Sequence, residues 1–270
     1  MKKLVITCIV VFLCCLIFYF LILKPDKYEN VDMHDAILNN GVIKVGINTD
    51  IKPFGFINEK GEVCGFDADL ARGVAQYILH DRNAVKFIPV TPNNRLIKLS
   101  TGEVDIVIAT MTITPQREEI INFSTPYDSA GLAILVNSTS LATTISDLAD
   151  QNIGVVWGTT AEKNMLSLVP SGHIIGFKTY REAYNALKQG NIVALTSDDT
   201  ILSGYALEDK SVKLLPKRYT REPYGIGFRK GKGAGKLKEA LDGAINNMRQ
   251  RNELSTLHRK WLGSKYAWDK

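Results

Sequence analysis

Cysteine is scarce in this 270-residue chain, which contains four of them. Only Cys64 lies beyond the apolar N-terminal segment, so it has no partner there for an internal disulfide. We interpret Cys64 as a small, partly buried hydrophobic residue. The four histidines are scattered, and the sequence shows neither a Ser-His-Asp pattern nor a cluster of metal ligands. The sequence therefore indicates a protein without catalytic residues, metal or other cofactor.

Strong charge of one sign is also missing. The formal net charge is +5 at pH 7, and no Lys or Arg tract, aromatic ladder or zinc-ligand spacing indicates nucleic-acid binding. We therefore expect no nucleic-acid partner. With 45% hydrophobic and 23% charged residues, the composition is typical of a folded globular protein. The length allows one large domain or two lobes, and no internal repeat recurs at a fixed period.

Charged residues and proline are absent from residues 4–23, which follow Lys2 and Lys3. About 20 apolar residues are enough for a helix to cross a bilayer, and the leading lysines favour keeping the N-terminus in the cytoplasm. We predict that residues 1–24 form an uncleaved signal anchor and that the rest of the chain faces outward. A cleaved signal peptide is an alternative, although it would usually have a shorter apolar core and a small-residue cleavage site.

Lipidation is a second alternative for the N-terminal segment, because Cys14 and Cys15 are candidate sites for a lipid anchor. A lipoprotein cleavage box normally has Gly, Ala or Ser before the cysteine. Here Leu13 precedes Cys14, and another cysteine precedes Cys15. The signal anchor is therefore the favoured interpretation.

Strands and helices alternate after a predicted polar tether at residues 25–37. The apolar patterns predict strands at residues 42–47, 85–90, 104–109, 153–156, 174–177, 193–196 and 224–228. They predict helices at residues 34–39, 66–79, 94–99, 145–149, 160–168, 180–189, 199–206 and 236–258. Alternation of this kind implies βαβ units, a mostly parallel sheet and the α/β fold class.

The clearest functional signal begins at the predicted strand of residues 104–109, which is apolar throughout and is typical of a strand covered on both faces. The hydroxyls of Thr110, Thr112 and Thr114 follow its C-terminal end, and Arg117 comes next. Ligands of open α/β sheets bind beyond the carboxyl ends of the strands. A guanidinium binds a carboxylate through two parallel hydrogen bonds. The segment therefore predicts a site for a small carboxylate.

The same segment resembles a known family. The run TMTITPQR followed by NFSTPY is similar to the first-lobe ligand motif of the amino-acid-binding proteins of ABC transporters, bacterial solute-binding family 3. The resemblance continues through GFDADLA, YGIGFRKG and HRKWLG, and so covers nearly all of the chain after the tether. It implies a two-lobed α/β fold of the periplasmic-binding-protein kind (type II), with the ligand in the cleft between the lobes. It also implies a first lobe of residues 38–136 and 228–270 and a second lobe of residues 137–227.

The resemblance implies a set of ligand contacts in this cleft. The Arg117 position grips the α-carboxylate of an amino acid, and the Thr112 position adds hydroxyl and amide contacts. The Thr110 position helps to hold the α-ammonium group. In the opposite lobe, Thr160 lies at a helix start and meets the same carboxylate, while Asp198 pairs with the ammonium group.

Two of these assignments have competing interpretations. Thr160 could simply cap the helix that follows it, with Glu162 supporting the first turn. Asp199 could replace Asp198 as the ammonium partner, although Asp199 is also placed to cap the helix predicted to begin there. The spacing of the family motif favours Asp198.

Three further positions bear on the side chain of the ligand. Ile51 stands where many relatives with basic or aromatic ligands have an aromatic ring, which disfavours such ligands. Arg95 lies where relatives selective for glutamate or aspartate carry an arginine; the alternative is a solvated arginine at a helix start. Lys52 is a weaker candidate for the same role. We therefore expect an acidic amino acid or its amide, with glutamate first, then aspartate and glutamine.

The resemblance implies the extracytoplasmic substrate-binding component of an amino-acid ABC transporter. Ligand binding would favour hinge closure, and the closed monomer would dock on membrane permease subunits driven by a cytoplasmic ATPase. One alternative is an enzyme related to cyclohexadienyl dehydratases, in which Glu162 would be the candidate acid. The complete set of zwitterion-binding positions argues against that enzyme. Another alternative is an amino-acid sensor subunit.

Overall fold

The computed structural model describes residues 32–263. The predicted signal anchor at residues 1–24 lies outside this range. Within the described range, no helix is both long enough and apolar enough to cross a membrane.

The first part of the described chain alternates short strands with helices. Its elements are α1 (Met33–Asn40), β1 (Ile43–Ile47), β2 (Asp50–Ile51), β3 (Gly55–Ile57), β4 (Val63–Cys64), α2 (Phe66–Leu79), β5 (Val85–Pro89), α3 (Arg95–Ser100), β6 (Ile106–Val107), α4 (Pro115–Glu118), β7 (Ile121–Phe123) and β8 (Asp128–Ala130). Helix α2 has the bounds that the sequence predicts. It starts after Gly65, where φ is 120° and a Cβ atom would lie 2.1 Å from the Phe54 carbonyl oxygen, so only glycine fits.

The second part repeats the alternation, and the chain then returns to the first part. Its elements are β9 (Leu132–Asn137), a 3₁₀ turn (Ile145–Leu148), β10 (Asn152–Val156), α5 (Thr160–Leu168), β11 (His173–Phe177), α6 (Tyr180–Lys188), β12 (Ala194–Asp198), α7 (Asp199–Glu208) and β13 (Val212–Leu214). The returning elements are β14 (Glu222–Tyr224), β15 (Gly227–Arg229), α8 (Ala234–Gln250) and α9 (Glu253–Trp261).

Each lobe contains one five-stranded sheet within the described residues. The first sheet has the order β5-β1-β6-β15-β7, with β1 parallel to β5 and β6, and β15 antiparallel to both of its neighbours. The second has the order β11-β10-β12-β9-β13, with β10 parallel to β11 and β12, and β9 antiparallel to β12 and β13. The predicted α/β fold with largely parallel central strands is therefore confirmed.

The chain crosses between the lobes through β8 and returns through β14, and these two strands pair in antiparallel fashion. The predicted first lobe, residues 38–136, is wrong at its C-terminal end. Strand β9 pairs with β12 along its length, from Leu132↔Asp198 to Val136↔Ala194, so it belongs to the second sheet. The apolar pattern of β9 suits a buried strand in either sheet, and only its pairing with β12 decides between them.

The predicted tether at residues 25–37 is wrong at its C-terminal end, since α1 begins at Met33. Asp32 caps this helix by accepting a hydrogen bond from the Asp35 N–H at 3.1 Å. The side chains of Met33 and Ile37 are buried in the same core as α8. The first lobe therefore begins before residue 38, because two apolar side chains in an otherwise polar segment pack against it.

Candidate functional site

Arg117 connects the two lobes across the cleft. It lies in α4, where Thr114 caps the helix by accepting a hydrogen bond from the Arg117 backbone N–H at 3.3 Å. The guanidinium donates from Nη1 to the Thr112 carbonyl oxygen at 2.6 Å and from Nη2 to the Gly158 carbonyl oxygen of the second lobe at 3.0 Å. Burial lowers the pKa of Arg117, and the charge of Asp198 opposes that shift.

Arg95 places a second guanidinium in the same region. It is the first residue of α3 and is only 3% exposed. Its Nη1 donates to the Ala109 carbonyl oxygen at 2.7 Å, its Nη2 donates to the Gly158 carbonyl oxygen at 3.5 Å, and its buried Nε has no partner among the described residues. Burial and the charge of Arg117 lower the pKa of Arg95 to about 9, so the side chain is charged at pH 7. The alternative of a solvated arginine is therefore wrong, because tertiary packing covers the start of α3.

Thr110 and Thr112 follow β6 and are both buried. Thr110 has a φ of 46°, in the left-handed region, and its N–H donates to the Asp67 carboxylate at 3.1 Å. Strain of this kind in a non-glycine residue concentrates at functional sites. Thr112 forms an isolated antiparallel bridge with Tyr224 of β14. Both threonines therefore lie where the first sheet meets the connection between the lobes.

Thr160 is the first residue of α5, in the second lobe. The N-cap position belongs to Thr159, whose hydroxyl donates to the Val156 carbonyl oxygen at 2.6 Å instead of capping the helix. The interpretation of Thr160 as the cap is therefore wrong. Glu162 supports the turn by accepting a hydrogen bond from the Gly158 N–H at 3.4 Å. The first N–H groups of a helix have no partner within it, so this end of α5 can receive an anion.

The structure brings three of the predicted positions together. Thr112, Arg117 and Thr160 line one cavity of about 470 Å³ between the lobes. Two of them belong to the first lobe and one to the second, so a carboxylate in this cavity would touch both lobes.

Asp198 is the last residue of β12 and is 6% exposed. Its Oδ2 accepts a hydrogen bond of 2.5 Å from the Tyr224 hydroxyl. Burial raises the pKa of Asp198 to about 7, while the hydrogen bond from Tyr224 opposes the rise. Thr112 and Tyr224 connect Asp198 to Arg117: the Thr112 carbonyl oxygen accepts from the guanidinium, Thr112 pairs with Tyr224, and the Tyr224 hydroxyl binds Asp198. The region between the lobes therefore holds a guanidinium and a carboxyl group that are connected through two residues.

Asp199 makes a structural contact instead. Its Oδ1 accepts a hydrogen bond from the Gly131 N–H at 3.0 Å, and its own N–H donates to the Gly131 carbonyl oxygen at 2.9 Å. Its carboxylate also forms an ion pair with Arg218. The N-cap of α7 is Asp198, and Asp199 is the first residue inside that helix. The interpretation of Asp199 as the cap is therefore wrong, because its carboxylate binds the N–H of Gly131, which lies between β8 and β9.

Lys52 lines a different cavity between the lobes, of about 580 Å³, from the one that Arg117 lines. Its Nζ is 2.9 Å from the Glu208 Oε1 of the second lobe, and both side chains are more than half exposed. Its charge is therefore already paired, which counts against a contact with a second carboxylate. Ile51 is buried, at 1% exposure.

Sequence reasoning missed Asn48, which directly follows β1. Its side chain is fully buried, and neither Oδ1 nor Nδ2 has a hydrogen-bond partner among the described residues. Strands β1 and β6 are adjacent and parallel, so Asn48 lies at the same edge of the sheet as Ala109 and Thr110. An unsatisfied buried amide is costly, which marks this place as suited to a polar ligand group. The signal in the sequence was a polar residue at the carboxyl end of a predicted strand.

The cleft is suited to a small zwitterion. Among residues 32–263, no group of three or more His, Cys, Asp or Glu side chains could hold a metal ion. The guanidiniums of Arg95 and Arg117 can neutralise negative charge, and the carboxyl group of Asp198 can neutralise positive charge. The fold and this cleft together define a two-lobed α/β binding protein.

Comparison with known proteins identifies the family. The family model of bacterial extracellular solute-binding proteins, family 3, matches residues 43–264. The chain belongs to this family, and it is an amino-acid-binding protein of an ABC transporter. The ABC transporter glutamine-binding protein of Bacillus subtilis is 35% identical to it over 241 residues, which cover 88% of each chain. The predicted resemblance is therefore confirmed.

Solved structures of similar proteins share the fold. A cysteine-binding protein from Campylobacter jejuni has a TM-score of 0.83 and 29% identity, covering 89% of this chain and 96% of that chain. An ancestral amino-acid-binding protein, named as a precursor of cyclohexadienyl dehydratase, has a TM-score of 0.77 and 32% identity, covering 86% and 99%. These relatives are named as binding proteins, and the family description places such proteins outside the cytoplasm.

Proposed function

We propose that the protein captures glutamate, aspartate or glutamine and delivers it to a membrane permease. The observation that carries the proposal is the connection of the Arg117 guanidinium to the Asp198 carboxyl group through Thr112 and Tyr224, between the two lobes. A free amino acid carries one carboxylate and one ammonium group, and burying either without an opposite charge is costly. Arg117 and Asp198 meet both requirements.

The α-carboxylate of the ligand binds Arg117, Thr112 and Thr160 in this proposal. The three residues line one cavity of about 470 Å³, which supports a shared ligand group. Hydrogen bonds to charged groups contribute roughly 1.5–3 kcal/mol each. Three or four of them, less the cost of ordering the groups, are compatible with micromolar binding at about −8 kcal/mol.

The α-ammonium group binds Asp198, with Thr110 contributing from the first lobe. Asp198 is buried and lies at the end of β12, so an ammonium group there would be shielded from water and strongly attracted to the carboxylate. Asp199 is excluded from this role in our proposal, because its carboxylate already binds the Gly131 N–H and Arg218.

Arg95 and Asn48 support a polar side chain on the ligand. Arg117 and Asp198 balance the two charges of a zwitterion, which leaves the charge of Arg95 to be neutralised by a second carboxylate; this favours glutamate and aspartate. Asn48 offers a buried donor and a buried acceptor, both of which a side-chain amide would satisfy. That combination supports glutamine, the amino acid for which the Bacillus subtilis relative is named.

A thermal-shift panel of the standard amino acids, followed by calorimetric titration, tests the proposal. We expect stabilisation by glutamate, aspartate or glutamine. The Arg117→Ala variant should bind the same amino acid roughly several hundred-fold more weakly, because a buried carboxylate without its partner costs about 3–5 kcal/mol.

Arg82→Ala is the matched control for that titration. Arg82 is an exposed arginine of the same lobe, where it pairs with Glu253 of α9 at 2.8 Å, and its loss should leave affinity unchanged. Stabilisation by arginine or histidine alone would overturn the proposed ligand class. Full affinity in Arg117→Ala would dismiss the carboxylate assignment.

We also propose that residues 1–24 anchor the protein to the extracytoplasmic face of the membrane. The uncharged run of residues 4–23 behind Lys2 and Lys3 supports this anchor. The anchored monomer would close on its ligand and dock on permease subunits that a cytoplasmic ATPase drives. The anchor would keep it close to those subunits.

A further inference from the structure

The two lobes meet at a second place, away from the arginines, where α7 of the second lobe contacts the backbone of the first. Gly204 faces the Lys52 carbonyl group there. A Cβ atom on Gly204 would lie 2.4 Å from the Lys52 carbonyl oxygen and 3.2 Å from its carbon, with Pro53 Cδ at 3.4 Å. The first of these separations is shorter than any side chain tolerates, and the Lys52 carbonyl group is backbone that cannot rotate away as a side chain could.

The next turn of α7 contacts the same residue. Glu208 follows Gly204 by one helical turn, so the two lie on one face of the helix. The Glu208 carboxylate forms an ion pair with Lys52 Nζ at 2.9 Å. This face of α7 therefore packs against Lys52 in two ways. Gly204 lies close to the Lys52 backbone, and Glu208 pairs with the exposed Lys52 side chain.

The local conformation of α7 does not require a glycine at this position. Gly204 lies inside the helix Asp199–Glu208, and its φ is outside the left-handed region where glycine is favoured. Glycine in the interior of a helix is destabilising relative to alanine. The contact with Lys52 provides the physical reason for a glycine here.

We infer that Gly204 is a positioning residue for ligand capture: its lack of a side chain allows α7 to close onto the Lys52 carbonyl group. This inference rests on the proposed function. Helix α7 starts immediately after Asp198, so the seating of the helix against the first lobe and the placement of the Asp198 carboxylate are coupled. A side chain at position 204 holds the lobes apart and leaves the ligand incompletely enclosed, although it touches no ligand group.

The Gly204→Ala variant tests the inference, with Gly235→Ala as the matched control. Gly235 lies in α8, and a Cβ atom there would meet no described atom within 4 Å. Calorimetric titration with the amino acid that binds wild type best, thermal unfolding without ligand, and the radius of gyration by X-ray scattering with and without ligand are the readouts. Each is measured on wild type and both variants.

We expect Gly204→Ala to bind at least about tenfold more weakly, since apparent affinity falls with the population of the closed state. Its ligand-free melting temperature should equal or exceed that of wild type, because alanine favours the helix. Its radius of gyration at ligand saturation should stay above that of saturated wild type. Gly235→Ala should match wild type in affinity and in compaction.

Three results would overturn the inference. One is wild-type affinity and compaction in Gly204→Ala. Another is weaker binding together with a lower ligand-free melting temperature, which would assign Gly204 to the folding of the second lobe. The third is a wild-type protein that binds no amino acid, which would refute the proposed function and this inference with it. The first two results, by contrast, refute the inference and leave the proposed function intact.

Discussion

At the scale of single residues, two carboxyl groups near the cleft, those of Asp198 and Asp67, are buried. Burial raises the pKa of Asp198 to about 7 from 3.8, and it raises the pKa of Asp67 to about 7 as well. Asp67 accepts hydrogen bonds from the Thr110 N–H and the Tyr127 hydroxyl, both at 3.1 Å. Asp198 has the Tyr224 hydroxyl as its partner. Burial therefore moves the titration of both carboxyl groups towards neutral pH.

The raised pKa of Asp198 predicts that ligand affinity depends on pH. In the proposed site the ammonium group binds the ionised carboxylate of Asp198, and that form is lost as pH falls through about 7. Below that pH, affinity should decrease by up to about tenfold for each pH unit, in proportion to the ionised fraction. Calorimetric titrations between pH 5.5 and 8 (roughly the range in which a group of this pKa changes charge) measure the dependence.

Asp198→Asn separates this effect from the titration of Asp67. The variant should bind weakly at every pH and lose the slope, because the amide does not ionise. A slope that persists in Asp198→Asn would belong to Asp67, and a wild-type affinity that is the same at pH 5.5 and 8 would contradict the role given to Asp198.

At the scale of elements, the junction of β12 and α7 gives its two consecutive aspartates different tasks. Asp198 faces the cleft and the Tyr224 hydroxyl of β14, while Asp199 binds Gly131 at the exit of β8. The helix start thus connects the proposed ligand site to both strands that cross between the lobes. A movement of β8 relative to β14 would therefore change the position of the Asp198 carboxyl group.

Alanine variants of the two aspartates should fail in different ways. Asp199→Ala should lower the free energy of unfolding by about 1–3 kcal/mol, because the buried Gly131 N–H loses its partner. Asp198→Ala should instead remove most of the ligand affinity. Urea denaturation without ligand and calorimetric titration with it measure the two effects. The assignment is reversed if Asp199→Ala abolishes binding and Asp198→Ala retains it.

At the scale of the whole molecule, two α/β lobes are joined by β8 and β14, and their contacts include one at Gly158 and one at Gly204. Arg95 and Arg117 donate to the Gly158 carbonyl oxygen at one of them, and the Lys52 segment meets α7 at the other. Contacts on either side of the cleft allow a ligand between them to be enclosed from both lobes. Such closure is what a permease could distinguish from the open form.

The proposed anchor predicts where the protein is found in the cell. The intact mass of the protein purified from membranes should correspond to residues 1–270. Deletion of residues 4–23 should move the protein to the soluble fraction, because it removes the apolar run. A mature species that begins at Cys14 or Cys15 would replace the anchor with lipidation, and one that begins near residue 25 would indicate cleavage.

Local patterns predicted some elements correctly, but the helix predicted at residues 236–258 is divided into α8 and α9 at Asn252, where φ is 57°. The strand predicted at residues 224–228 is likewise divided between β14 and β15. Helix α2 has the predicted bounds of residues 66–79, because its apolar spacing and the residues at its start lie within one stretch of sequence. One cavity is lined by Thr112, Arg117 and Thr160. The first two follow β6, and Thr160 begins the helix after β10; the carboxyl ends of both strands lie at the cleft. The match to the family reflects motifs of the same local kind.

Features that depend on distant residues were decided by the tertiary structure alone. The apolar strand β9 has no property of its own that assigns it to the second sheet; its register with β12 does. Arg95 binds the carbonyl oxygens of Ala109 and Gly158, and the Asp199 carboxylate binds the Gly131 N–H, so remote segments supply the partners of both. The contact of Gly204 with the Lys52 carbonyl group joins residues of opposite lobes. Local sequence is enough to specify which side chains end each strand. The partners that those side chains meet depend on how the lobes pack.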